Sequence, residues 1–480
     1  MITMLGSPRK CCDGITRRET LKAGALSALG GLSLADLLRA EAQAGPDAGF
    51  GKAKNVIVLY LLGGAATQDM WDLKPDAPAE VRSEFKPIAT SADGVQICEL
   101  LPLTARWMHR GAIVRTVNHK AGCHNTLPSY TGFEEPLPDI TITKSSYPPS
   151  MGSICEYLRT QPRELPDYVY LPCYLGWGQN IRRPGPYAGF LGKRYDPLFT
   201  ECKPFRDATA PAAAPGTPQI VRGEPFVANT ALPEQMTLDR LNDRRGLLEQ
   251  IDAELRRVEK TGAVGQLDRL KQQAFGILTS SPMRAAFDLS TEDPKTLDRY
   301  GRTLFGHSAL IGRRLVQAGV RFVNVTWDLF WDRIPIDYDA WDTHTRNFTI
   351  LRDNKLPHFD QTLSALLSDL NDRGLLDETL VVVTSEMGRT PKINANAGRD
   401  HWTFCYSNLF FGAGIRGGSI YGTSDAQAAY VKDKPVSTAD ICSTIYHCLG
   451  INPETTTVPD RIGRPVSIAH GGHAISEILT

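Results

Sequence analysis

Carboxylates and imidazoles gather in four short stretches, each placed after a run of apolar residues. Gly63-Gly64 leads into Asp69 and Asp72, and His119 stands ahead of Gly122-Cys123-His124-Asn125-Thr126-Leu127-Pro128-Ser129. Trp341-Asp342-Thr343-His344 closes an acidic stretch. Glu386 is followed by Gly388-Arg389-Thr390-Pro391 and, fifteen residues past Glu386, by His401 in Gly398-Arg399-Asp400-His401-Trp402. Oxygen donors favour hard cations and neutral imidazole favours borderline ones, so this mixture is the raw material of a zinc, manganese or magnesium site without selecting among them. Asp342 and His344 are two positions apart and cannot share one helix face, so joint binding of an ion requires irregular backbone there. A histidine behind a strand is more often a hydrogen-bonded structural group than a ligand. It is the coincidence of four clusters that makes a shared metal centre the expectation.

The elements that must position these clusters are legible as alternating patterns. Asn55 to Leu62 is a continuous apolar run ending in two glycines, as expected of a strand buried on both faces. Similar short runs occupy 112–117, 320–325, 379–384 and 408–411. Between them, Phe359, Leu363, Leu366 and Leu370 repeat at 4, 3, 4 on one helical face, and Ser437 to Leu449 opens with helix-capping residues. Strands alternating with helices predict an α/β protein with a mostly parallel central sheet covered by helices on both faces, where ligands collect beyond the carboxyl ends of the strands. Two regions break the rhythm. Residues 133–215 are rich in Pro, Gly and Tyr and read as a long irregular excursion, whereas 233–318 read as a helical insertion.

The composition narrows the partners. With 480 residues, 53 Lys+Arg against 53 Asp+Glu, 42% hydrophobic and 22% charged residues, the chain resembles neither a nucleic-acid binder nor a polybasic membrane-surface protein. Past the N-terminus no apolar run reaches the roughly 18 residues of a spanning helix. Residues 1–44 read as a targeting segment, with Arg17-Arg18 set as in a twin-arginine export signal, a weakly apolar stretch from Ala23 to Leu38, and an Ala42-Gln43-Ala44 exit. The expected location is therefore exported, periplasmic or extracellular, with 45–480 as a single domain. Eight cysteines follow the leader and none forms a C-x-x-C pair, so disulfides are permitted but their connectivity is open.

At this point a family resemblance emerges. Asp72-Leu73-Lys74-Pro75, Ala286-Phe287-Asp288-Leu289, Trp341-Asp342-Thr343-His344, Gly388 to Lys392 and Gly398 to Trp402 are the motifs that carry it. Over Asn55 to about Gly450 the chain resembles the bacterial domain-of-unknown-function family numbered 1501, exported proteins that look related to the alkaline phosphatase and sulfatase superfamily. The resemblance implies an alkaline phosphatase-like fold and metal ligands on successive strand ends. Carried over in order, Asp342, His344 and His401 would make one site, and Asp69 with Glu386 a second, weaker one. It further implies a nucleophile between Cys123 and Gly132, with Thr126 the first candidate, Ser129 an alternative, and His124 a ligand or acid. Arg389 or Arg399 could clamp an anion.

The function expected on this basis is a metal-dependent hydrolase of phosphate or sulfate esters, acting on a small-molecule or glycan ester with a zinc, manganese, magnesium or calcium cofactor. The alternative is a catalytically silent metal-binding protein that holds carbohydrate or another exported protein. Met387 stands where active members of the superfamily commonly show His, which predicts one tightly held ion per chain.

Overall fold

Along β1 (Asn55–Leu61) successive side chains alternate between two cores. Val56, Val58 and Tyr60 enter one, and Ile57, Leu59 and Leu61 the other. Such a strand can only sit in the middle of a covered sheet. The computed structural model describes residues 48–159, 165–177, 181–206, 219–227, 280–330, 333–334 and 340–480. The leader expected at 1–44, the low-complexity stretch at 208–218 and the helical pattern expected at 241–278 lie outside the described residues.

The main sheet has eight strands. After β1 come β2 (Gly111–Val117), β3 (Tyr168–Leu171), β4 (Leu198–Phe199), β5 (Phe322–Trp327), β6 (Thr379–Thr384), β7 (Tyr406–Gly412) and β8 (Ser419–Tyr421). Their spatial order is β8-β2-β7-β6-β1-β5-β3-β4. Every pairing is parallel except the two made by β7, which runs against both β6 and β2. The expected apolar runs thus became β1, β2, β5, β6 and β7. β3 and β4 arise from the span expected to be irregular, where Tyr168-Val169-Tyr170-Leu171 is buried throughout but too short to stand out.

Helices cover both faces. The Ile57 side packs against α3 (Leu304–Gln317) and α4 (Leu356–Asp372), and the Val56 side against α1 (Leu127–Thr131), α2 (Met151–Tyr157) and α5 (Thr438–Cys448). In α4 the residues Phe359, Leu363, Leu366 and Leu370 are fully buried, as their spacing predicted. Removing one of them, for example Phe359→Ala, would cost about 3–5 kcal/mol of packing. The α5 N-terminus is closed by a capping box, in which Ser437 Oγ accepts from the Asp440 amide and the Asp440 carboxylate accepts from the Ser437 amide. The last part of the span read as an insertion, α3, is a layer helix lying on β1 and β5.

Register decides where the loops emerge. Tyr60 is level with Thr384 and Leu61 with Trp327, so the segments leaving β1, β5 and β6 start side by side. Because β7 is reversed, the residues that precede it lie at this same end of the sheet.

Candidate metal centre at the strand ends

Three loops and one ladder bring the donors together. Gly63 follows β1 with φ 108°, and a Cβ there would meet the Asp342 amide nitrogen at 2.7 Å, so only glycine lets the Asp342 backbone pass. Trp341 fixes the same segment. Its amide donates to the Leu62 carbonyl at 2.8 Å, and its buried indole stands edge-on to Trp327 and Phe359. Gly388-Arg389 after β6 pairs antiparallel with His401-Trp402 ahead of β7. Gly398 permits the close approach of that second segment, since a Cβ would lie 1.9 Å from the His344 carbonyl.

The imidazoles converge on Asp342. His344 Nε2 lies 3.1 Å and His401 Nε2 3.2 Å from Asp342 Oδ1, and His124 Nε2 lies 3.4 Å from Oδ2. The Nε2 atoms of His344 and His401 are 2.8 Å apart. Among the described residues, His124, Asp342 and His401 form a group that could hold a metal ion, with ligand atoms all within 4.8 Å of one another. His344 stands beside them on the open side, its side chain 39% exposed against 8% for His124.

Behind two of these rings stands a carboxylate. His124 Nδ1 faces Glu386 Oε1 at 3.1 Å, and His344 Nδ1 faces Asp400 Oδ1 at 2.8 Å. A carboxylate only accepts, so each Nδ1 carries the hydrogen, and in the neutral ring the lone pair sits on Nε2. Each lone pair then points at Asp342, itself an acceptor. Acceptor against acceptor is repulsive unless a proton or a cation lies between them, and a carboxylate behind the imidazole is the usual support of a metal-binding histidine. The separations of 2.8–3.4 Å also match the edge of a zinc tetrahedron, about 3.3 Å for bonds of about 2 Å.

Without an ion, a proton takes that place. Burial pushes the Asp342 carboxyl upward, but hydrogen bonds from His124 and His401 and the Arg389 guanidinium outweigh it and hold the group well below the carboxylate range. Burial likewise opposes ionisation of Glu386, and His124 overcomes it. Burial lowers His401. For His124 burial also acts downward, yet Asp342 and Glu386 together raise it.

Other residues singled out in the sequence lie elsewhere. Asp69 does not join the cluster: both its oxygens take Arg399, at 2.8 Å from Nε and Nη2, and Asn347 adds a third hydrogen bond. Glu386 is not brought to Asp69 to form a second centre; it is fully buried behind His124 and accepts from the Gly63 amide at 2.8 Å. Arg389 is turned inward, donating to the carbonyls of Gly63, Gly64 and Arg399 and to Asp342, which corrects its expected place on a bound anion. Arg399 is buried on Asp69. The Thr126 hydroxyl is fully buried and donates to the Pro184 carbonyl, and Ser129 Oγ donates to the Thr126 carbonyl, so neither faces the donors as a nucleophile. Asp72 lies against Lys74 and Arg115. The physical reason is common to all of these: buried charges and hydroxyls are held by the nearest partner that satisfies them.

Two contributors escaped the sequence reading. Asp400 sits beside His401 within a quoted motif, and only the fold shows that it backs His344. Arg183 lies in the aperiodic span at 133–215, buried, with Nη1 donating to the His124 carbonyl at 3.1 Å. It thereby braces a residue held in the left-handed region, φ 53°, a conformation that costs a non-glycine residue about 1–3 kcal/mol. No motif or periodicity marked it.

Solved structures similar to this chain are distant in sequence. They include the lipoteichoic acid synthase LtaP from Listeria monocytogenes, at 12% identity and TM-score 0.34, covering 93% of this chain and 81% of that one. The PsFucS1 sulfatase from Pseudoalteromonas sp. shows 12% identity and TM-score 0.37, with 92% and 73% covered. A protein in the alkaline phosphatase superfamily from Vibrio parahaemolyticus shows 12% identity and TM-score 0.37, with 91% and 72% covered. No curated protein matches the sequence. The sequence match over residues 53–479 is to a family described as proteins of unknown function, DUF1501, and the chain belongs to that family.

Proposed function

We propose that this protein is an exported, metal-dependent hydrolase of phosphate or sulfate esters, holding one divalent cation on His124, Asp342 and His401 with His344 at its open side. The observation that carries the reading is the convergence of three Nε2 atoms on one carboxylate, two of the rings being backed by carboxylates of their own. Three imidazoles to one carboxylate favour zinc or manganese over magnesium or calcium. A cation there would supply Lewis acidity toward an ester oxygen and activate an attacking water. Water is the proposed nucleophile because the Thr126 hydroxyl is committed to Pro184. Asp342 and His401 are partly exposed, so an ester can approach from the His344 side.

A second reading, a silent metal-binding protein, is favoured by one observation: Arg389 and Arg399 both face inward and offer no clamp to an anion. Turnover decides between them. Purified protein, stripped and reloaded with zinc, manganese, magnesium or calcium, is assayed on aryl phosphates and aryl sulfates, with His401→Ala as control. Metal-dependent turnover lost in the variant supports the hydrolase. One bound ion with no turnover of any ester supports the silent protein, and no bound ion refutes both.

A further inference from the structure

Cys173 and Cys202 lie in a part of the fold that the metal centre does not use. Cys173 follows β3 by two residues, and Cys202 belongs to a two-residue strand, Glu201–Cys202, paired antiparallel with Pro225–Phe226. Between them the backbone is pinned by Thr200. Its amide donates to the Tyr170 carbonyl at 3.1 Å and its hydroxyl to the Pro172 carbonyl at 2.7 Å. This sets residues 170–172 against residue 200 and brings the two following cysteines into one cluster. Both are buried, at 0% and 2% exposure, in a small apolar cluster with Val221, Leu304 and Phe330 that is separate from the two main cores. In this structure both are free thiols, and the neighbouring Cys202 helps to raise Cys173. Arg333 Nη1 donates to the Cys202 carbonyl at 2.9 Å and to Glu201 at 2.7 Å.

Beyond β4, which pairs with β3, the strap that carries Cys202 is thinly held. Glu201–Cys202 on Pro225–Phe226 and Phe205–Arg206 on Val221–Arg222 are ladders of two residues each, too short to be stable on their own. The cluster beneath them is equally small. A covalent link placed here would do what packing alone does weakly.

We infer that Cys173 and Cys202 are joined by a disulfide in the mature protein, fastening the ladder of Glu201–Cys202 on Pro225–Phe226 to the segment that follows β3. The oxidant is a disulfide-bearing exchange partner, either glutathione disulfide or a protein disulfide. One cysteine thiolate attacks it, forming a mixed disulfide and releasing one partner thiol; the second cysteine then displaces the other partner sulfur. The chain loses two protons and two electrons, and the partner leaves as two thiols. Burial pushes the Cys173 thiol well above its ordinary range, so little thiolate exists once the strap has closed. The bond therefore forms while the strap is docking, and afterwards reductant reaches it only when the strap opens. This inference is independent of the hydrolase reading.

The test maps the cysteines of the full chain. Protein unfolded in urea is refolded in a buffer containing glutathione disulfide and glutathione, then denatured without reductant, alkylated, digested and weighed. The expected result is one cross-linked pair of peptides carrying Cys173 and Cys202, about 2 Da lighter than the two thiol peptides together, with Cys98, Cys155 and Cys442 alkylated. Reductant added before denaturation should leave the bond largely intact, and reductant added after it should release the bond. The Cys202→Ser variant should show Cys173 alkylated and no new cross-link. Alkylation of both cysteines in the refolded wild-type protein, or a link from either to a third cysteine, would overturn the inference.

Discussion

Replacing Glu386 by Gln removes a charge from behind His124 while leaving the local shape intact. The Gln oxygen can take the position of Oε1, accepting from the Gly63 amide and from His124 Nδ1 as the carboxylate does at 2.8 and 3.1 Å. Its amide then faces Ser385 Oγ, which donates to the Leu61 carbonyl and is free to accept. What is lost is the negative charge that makes the imidazole a stronger donor. Outer partners of metal-binding histidines are worth about 10–100-fold in affinity, or about 1.4–2.7 kcal/mol at 1.36 kcal/mol per tenfold. Glu386 is 1% exposed, so little solvent screens it, and the upper half of that range is expected. Asp400, which backs His344, has a side chain 54% exposed and should matter less, with Asp400→Asn weakening binding by less than about fivefold. Competition against a chromophoric chelator, with zinc as the titrant and folding checked by circular dichroism, measures both. Wild-type affinity in a folded Glu386→Gln variant, or a larger loss in Asp400→Asn than in Glu386→Gln, would refute the argument.

Four further outcomes are expected. Asp69→Asn leaves the fully buried Arg399 without its counter-charge and should cost about 3–5 kcal/mol of stability in urea unfolding, equally with and without metal; normal stability with lost metal would make Asp69 a ligand. Thr126→Ala should cost about 1–3 kcal/mol by orphaning the Pro184 carbonyl, yet change metal-dependent turnover by less than about tenfold, whereas abolished turnover at normal metal content would identify Thr126 as the nucleophile. Burial holds His307, His358 and His470 below the ordinary value of 6.5, so in the acid range the unfolded chain binds more protons than the fold; stability should be full above about pH 6.5 and fall as pH drops through the lowered values, and a urea midpoint unchanged between pH 7 and 5 would contradict this. Export is expected to depend on the paired arginines of the leader, so Arg17→Lys with Arg18→Lys should leave the precursor unprocessed in the cytoplasm, which fractionation and immunoblotting would show.

The sheet was legible where burial left an unbroken mark. Asn55 to Leu61 is apolar on both faces because helices lie on both, and a run of that length has few other uses. The same holds for β6, whose Leu380, Val381, Val382 and Val383 are all fully buried. β3 and β4 failed to show because four and two residues cannot establish a period, and because Pro and Gly on either side read as loop. The reversal of β7 was not legible either. Its apolar content matches that of its neighbours, and direction depends on which loop returns the chain to which end.

The site divides along the same line, for a reason that concerns distance in the chain. Asp342 and His344 are neighbours in sequence, and His401 was expected beside them from the family resemblance; these groups do meet, although β1 and β6 stand between β5 and β7 in the sheet. What sequence order could not settle is which carboxylate faces a cation and which faces another protein group. Asp69 and Glu386 are both buried acids after strands, identical in pattern to Asp342. Asp69 is claimed by Arg399, 330 positions away, and Glu386 by His124, 262 positions away. A buried carboxylate goes to whichever positive or N–H group the packing leaves within about 3 Å of it, and that choice is made by side chains from distant loops. His124 shows the converse. Its left-handed backbone, braced by Arg183, turns an imidazole from an aperiodic loop toward Asp342, a placement that the two expected sites, one on Asp342, His344 and His401 and the other on Asp69 and Glu386, had left open.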